Sequence, residues 1–298
     1  MRWWSLSAEW HSLTMNTADN TPHGKRGELR MHFERDNEGR SILRELYRRA
    51  PIIVQQALYF DENMPLLPCV YILSAGGPVV EGDNYSHHIS LGNGACAHIS
   101  TGAATKVAQM RGGWAQLKQH ISLGEEAYLE WLPEATIPCA GAQYKSVCEV
   151  EVAPSATLFY AECYTSGRRF FEERYRYRRL DLSMRITRPN GESVFAERQL
   201  IEPSVEIESV GVMAGMDIFS SVVIIAPPHI TLSLYSSIEP RLEKSIALGV
   251  HLLPHDEGIV CRIVGRATTD VKSLTRTLCS MLRQRVQGVA LPEEFVWR

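Results

Sequence analysis

This sequence predicts a mainly β fold, with layered sheets of sandwich or solenoid-like character and a few helices, one of them amphipathic at the C-terminus. Three observations carry that prediction. Apolar and polar residues alternate with period two from Glu28 to about Thr268. A strand–turn–strand unit recurs in the first half of the chain. Beyond Thr268 the apolar spacing changes to that of a helix.

Taken in order, residues 1–27 are polar and unpatterned and close on Pro22, Gly24 and Gly27, which reads as a flexible tail. Trp3, Trp4 and Trp10 could anchor that tail on a partner. Residues 28–298 read as a single β-rich domain. Residues 28–34 alternate as a strand, and Asp36-Asn37-Glu38-Gly39 is a turn. Residues 44–49 fit either a short helix or a strand. Residues 52–60 and 67–73 read as strands, with Pro65 and Pro68 keeping the stretch between them irregular. Residues 180–187 and 193–201 form a hairpin around Pro189-Asn190-Gly191. Residues 222–226 and 259–265 are short apolar strands, and residues 231–242 fit a helix. At the end, Val271, Leu274, Leu278, Met281 and Leu282 make a helical stripe, with Thr269 or Asp270 as cap and Gly288 as stop.

The repeat is Ile89-Ser-Leu-Gly-x-x-Ala95, which recurs as Ile121-Ser-Leu-Gly-x-x-Ala127 and, more weakly, as Val150-Glu-Val-Ala-x-x-Ala156. Units of this kind bury their apolar edges by stacking on the next copy. The equivalent positions Ala97, Leu129 and Leu158 then line one inner row, and Ile99, Trp131 and Tyr160 the next.

The 298 residues carry a net charge of −3, so no global basic field points to nucleic acid or an anionic membrane. Seven cysteines form no C-x-x-C pair, which argues against a disulfide framework or a zinc ribbon. No apolar run is long enough to span a bilayer, and the N-terminus lacks the apolar core of a signal peptide. These readings point to the cytoplasm.

Residues 76–110 are the densest in chemistry-bearing side chains. A hairpin looping at Gly92-Asn93-Gly94 sets His88 opposite His98 and puts Cys96 on the same polar face. The repeat adds His120 beside His88, and Glu130 beside His98. Imidazole, thiolate and carboxylate on one face would suit a borderline divalent ion, so His88, Cys96, His98 and His120 are the metal candidates; a solvated polar face explains the same residues. Further on, Arg174, Arg176 and Arg178 alternate with tyrosines, as a strand whose arginine face either meets solvent or docks an acidic partner. The chain has no G-x-x-x-x-G-K-[ST], G-x-S-x-G or H-E-x-x-H, so no NTPase, hydrolase or zinc-protease signature is present. Glu130, Glu149 and Glu162 near aromatics leave a β-solenoid-like carbohydrate-active enzyme as the rival reading, and a metal-independent interaction module as a third.

One family shares several of these segments in order. Gly76-Gly77-x-x-x-x-Gly82-Asp83, Gly94-Ala95 and Ala103-Ala104-Thr105-Lys106-Val107 resemble the UreD/UreH urease accessory proteins. So do Leu129-Glu130-Trp131-Leu132-Pro133-Glu134-x-x-Ile137-Pro138, Ser166-Gly167-Arg168 and Ile263-Val264-Gly265 before the last helix. Glu81 stands where the family often has glycine, and Thr101-Gly102 replaces its usual Thr-Gln pair. The resemblance implies a non-catalytic chaperone that binds apo-urease and a helical UreF-type partner, which recruits a nickel-carrying UreG-type GTPase. It implies no tightly bound cofactor, only transient nickel. It also implies roles for Gly77, Gly82, Asp83, Thr105, Lys106, Glu162 and Glu197, lining an internal polar path or holding the structure.

Overall fold

Three β-arches build the centre of the molecule, and everything else is laid around them. The computed structural model describes residues 24–203 and 205–292. Trp3, Trp4 and Trp10 lie outside the described residues. The chain begins with β1 (Arg26–Arg35) and β2 (Ser41–Arg49), followed by β3 (Ile52–Ile53) and β4 (Cys69–Ser74). The first arch is β5 (Asn84–Leu91) and β6 (Cys96–Thr101), extended by β7 (Thr105–Val107). The second is β8 (Ala115–Leu123) and β9 (Tyr128–Leu132), extended by β10 (Thr136–Pro138). The third is β11 (Gln143–Val152) and β12 (Thr157–Thr165). The chain then runs through β13 (Arg179–Thr187), β14 (Ser193–Ile201) and β15 (Ile218–Ile225) to α1 (Pro228–Tyr235). It ends with β16 (Arg241–Leu242), β17 (Ile246–Leu252), β18 (Gly258–Gly265) and α2 (Thr268–Gln287).

The ascending strands form a seven-stranded sheet in the order β14-β13-β11-β8-β5-β1-β2, and the descending strands belong to an 11-stranded sheet running β16-β17-β18-β15-β12-β9-β6-β4-β3. The repeat sets the register. Ile89 pairs with Ile121 and Ile121 with Val150 in one sheet. Ala97–Leu129–Leu158 and Ile99–Trp131–Tyr160 pair in the other, as the repeat predicts. These rows face each other and fill the space between the sheets. A second apolar layer lies on the far side of the larger sheet, where Val271, Leu274, Leu278 and Leu282 of α2 pack on Phe159, Val222 and Ile263. The order is sheet, sheet, helices.

Several sequence readings change. Residues 92–95 do not make a hairpin: β5 and β6 pair in different sheets, because each finds a parallel partner in the next repeat copy. Gly94, at φ +66°, supports the turn between them. Residues 44–49 are strand. The predicted strand over 52–60 survives only as the two residues of β3. Residues 174–178 are not a strand, since Glu172 and Tyr175 adopt left-handed backbone at φ 58° and 55°. The last helix starts after Ala267 with no side-chain cap, so neither Thr269 nor Asp270 fills that role, whereas Gly288 ends it as expected. The hairpin of β13 and β14 forms as predicted.

A polar chamber between the sheets as candidate functional site

Most inward positions of the seven-stranded sheet are apolar, but one row is not. His87, Gln119, Cys148 and Met184 sit in register on β5, β8, β11 and β13. Across the gap, β12 turns Tyr160 and Glu162 inward, beside Trp131 of β9. Polar groups in two facing rows cannot pack as a dry core, and a chamber of about 230 Å³ is left among them. Gly77, Ala103, Ala104, Thr105 and Lys106 line its outer end, where Lys106 is exposed.

Glu162 projects from β12 into the chamber, which Glu134 also lines. Tyr160 Oη lies 3.0 Å from Glu162 Oε1 and Ser146 Oγ 3.5 Å. No cation pairs with it among the described residues, so burial, reinforced by Glu197, lifts its carboxyl to about 7. Tyr160 Oη is also 2.9 Å from Gln119 Oε1. One hydroxyl proton cannot serve both acceptors, so a protonated Glu162 donating to Tyr160 completes the chain of bonds. His87 Nδ1 and Gln119 Nε2 are buried with no hydrogen-bond partner. Burial, with His88 next, lowers the His87 imidazole to about 4, so the ring is neutral at neutral pH.

The larger sheet is interrupted beside this chamber. Pairing of β9 with β12 stops at Trp131–Tyr160, and pairing of β10 with β12 is made at Thr136–Tyr164. Residues 132–135 therefore oppose residues 161–163 without a regular ladder. A cavity of about 90 Å³ beneath α2 shares Pro133, Glu134, Glu162 and Cys163 with the chamber. Lys272 of α2 pairs with Glu134 at this break.

A different buried carboxylate sits on the helix side. Glu130 is fully buried and accepts from Arg283 Nε and Nη2 at 2.7 and 2.6 Å and from Tyr128 Oη at 2.5 Å. His98 Nδ1 is 2.7 Å from its Oε2, and Arg283 also binds Asp61. Burial would raise the Glu130 carboxyl, but bonds from Arg283 and His98 pull it down to about 2.

The sequence-predicted residues separate into groups. Gly77, Thr105, Lys106 and Glu162 line the chamber. Asp83 does not: it accepts from Lys25 N, Val80 N and Tyr85 Oη at 2.8, 2.9 and 2.9 Å and ties β1 to the preceding turn. Gly82, at φ +82°, allows that turn, and the chain at Gly24 packs on its carbonyl. Glu197 pairs with Arg262 at the edge of the chamber's electrostatic reach. The four metal candidates do not share a face, because β5 and β6 lie in opposite sheets. His88 and His120 stack on the outer face at 5.5 Å, with Glu149 2.9 Å from His120 Nε2. His98 is buried under α2, and Cys96 is half-buried with its N–H on Ser41 Oγ. Among the described residues no group of three or more His, Cys, Asp or Glu side chains is arranged to hold a metal. Arg174 is tied to Asp217 and Glu208, and Arg178 donates to the Arg111 carbonyl at 2.9 Å. Arg176 is exposed on the irregular segment. Glu130, Glu149 and Glu162 lie in three different layers, so they do not form the paired carboxylates a glycosidase needs.

Sequence reasoning missed His87 and Gln119 as inward residues, although their parity with Ile89 and Ile121 carries that signal. Asp61 and Arg283 carried no signal, since their pairing spans 222 residues.

The UreD urease accessory protein family matches residues 25–298. The chain belongs to the UreD family. It is 38% identical over 283 residues to urease accessory protein UreD 3 of Methylorubrum populi, covering 92% of this chain and 90% of that protein. UreD 2 of Methylorubrum extorquens is 39% identical over 281 residues, with 92% and 90% covered. UreD 2 of Brucella suis is 36% identical over 279 residues, with 92% of each covered. The family is one of accessory proteins, not of enzymes, and its role lies in urease maturation. No helix among the described residues is long and apolar enough to cross a membrane.

Proposed function

We propose that this chain is a cytoplasmic chaperone that binds apo-urease together with a helical UreF-type protein and, through it, a nickel-carrying UreG-type GTPase, and that nickel passes toward urease by way of the chamber between the sheets. The observation that carries this reading is the chamber itself: a half-buried carboxylate, Glu162, with no cation paired to it among the described residues, in a polar space lined at its outer end by Thr105 and Lys106. A protein that merely held partners together would have no use for a carboxylate placed there, where burial is unfavourable. Nickel is cargo here and not a resident cofactor, which fits a site with few strong ligands. Exposed Phe170, Phe171, Val210 and Val212 offer apolar contact area of the kind partner surfaces use. The test is affinity capture of the tagged chain co-expressed with apo-urease and the other accessory proteins, with urease activity followed in a strain lacking the chain. Co-elution and loss of activity are expected. Absence of co-elution with full activity in the deleted strain would overturn the reading.

A further inference from the structure

Arg176 and Arg178 flank the buried Tyr177 and are both exposed, so the ring turns inward and the two guanidinium groups face solvent. The backbone that carries them is held. Gly141 N donates to the Arg176 carbonyl at 2.8 Å, and Arg178 N donates to the Ala142 carbonyl at 2.9 Å. Arg178 Nη1 donates to the Arg111 carbonyl at 2.9 Å, which brings a third exposed arginine alongside. The Arg111 loop is held as well, because Glu81 accepts from Arg111 N and Gly113 N at 2.6 and 2.7 Å. A Cβ at position 113 would meet Glu81 Oε1 at 2.8 Å, so this close approach requires glycine. The carboxylates whose fields reach these arginines are already engaged. Glu81 senses Arg111 but is taken by the loop N–H groups. Glu173 senses Arg176 but is bound by Arg168 Nε at 2.8 Å. Arg179, next in the chain, has Glu202 at 3.5 Å, whereas among the described residues Arg111, Arg176 and Arg178 make no ion pair.

We propose that Arg111, Arg176 and Arg178 form a docking site for an acidic, extended segment of a partner protein, with carboxylates on alternate residues. Alternate residues of an extended chain project from one face roughly 7 Å apart, which suits a pair of arginines two residues apart. A guanidinium can take a carboxylate through two parallel hydrogen bonds, and Arg178 keeps Nε and Nη2 for that purpose. Because the backbone under all three arginines is fixed before a partner arrives, little of it is left to be ordered on binding. Glu81 holds the Arg111 loop in place and is a positioning residue: its carboxylate stays on the loop N–H groups and leaves the guanidinium groups to the partner. The chain carries a net charge of −3 and no wider basic field, so three arginines on one edge suit a short acidic segment better than a nucleic acid. The assignment rests on the reading that the chain acts through partner proteins and is independent of what the chamber carries.

The test is fluorescence anisotropy of the full chain titrated against a fluorescein-labelled peptide of alternating glutamate and serine, with its glutamine counterpart as control. The wild type is expected to bind the glutamate peptide and not the glutamine one, and to release it as salt is raised. Substituting Arg111→Gln, Arg176→Gln and Arg178→Gln together should weaken binding by about tenfold or more. Arg48→Gln with Arg49→Gln, exposed arginines on β2, should leave it unchanged. Circular dichroism checks that each variant is folded, and Arg176→Gln with Arg178→Gln, for which the same weakening is expected, serves where the triple variant is not. No binding of the glutamate peptide by the wild type, or wild-type affinity in the folded variant, would overturn the assignment. So would equal losses in the two sets of variants, or tighter binding of a labelled single-stranded RNA than of the peptide. Co-elution of the wild-type chain in affinity capture tests the chaperone reading without these variants, so the two fail separately.

Discussion

Two carboxylates sit on opposite faces of the same sheet and behave in opposite ways. Glu130, under α2, is ringed by Arg283, His98 and Tyr128, and its carboxyl falls to about 2. Glu162, between the sheets, meets only hydroxyls, and its carboxyl rises to about 7. Glu130 is fully buried and Glu162 partly so, yet the more buried carboxyl is the one that stays ionised, because the partners differ. A carboxylate bonded by a buried guanidinium is a fixed strap, ionised at neutral pH. One without such a partner sits at the edge of ionisation at neutral pH, ready to take up a cation or a proton. The strap holds the last helix and residues 61–64 on the sheet. The chamber carboxylate adds nothing comparable to stability, which is why we assign it to function.

The largest expected effect is on the strap. Arg283→Met should destabilise the chain by about 3–5 kcal/mol, because it leaves Glu130 and Asp61 buried without their cation; chemical denaturation at pH 7 checks this. The Glu130 carboxyl is depressed, so its contribution is complete above about 4.5 and is lost as pH falls toward about 2. The melting temperature of the wild type should drop across that interval.

Glu162 gives the opposite sign. Its carboxyl is raised, so its contribution is complete below about 4.5 and is lost as pH climbs to about 7. Glu162→Gln should remove that slope and raise stability above pH 7 by on the order of 2 kcal/mol. Unchanged pH dependence in this variant would break the comparison at its centre.

Smaller effects sharpen it. Glu197→Gln removes the charge that adds to the Glu162 shift, and should lower the Glu162 midpoint by a fraction of about one unit, read by carboxyl NMR. Lys272→Ala removes a half-exposed ion pair with Glu134, and should change stability by less than about 1 kcal/mol.

How much of this the sequence shows follows from the range of each interaction. The repeat made the inner rows readable, because stacked copies place equivalent residues opposite each other. Period two told which side chains face inward within a strand, but not which sheet a strand joins, so His88 and His98 were placed together and are apart. The chamber was half legible: Glu162 and Lys106 came from the family resemblance, while Gln119 and His87 are recognisable only once the two sheets face each other. The strap was not legible, since His98, Glu130, Asp61 and Arg283 meet only after the helix docks. The arginines around Arg174 looked free in sequence, and Arg174 proves to be spoken for by Asp217 and Glu208 from a loop that follows.

The most direct test of the central claim is the nickel content of urease purified from cells that supply the Glu162→Gln chain in place of the wild type. The account predicts an intact complex with apo-urease and the accessory proteins, but urease that carries little nickel. Fully nickel-loaded, active urease from the Glu162→Gln strain would contradict it.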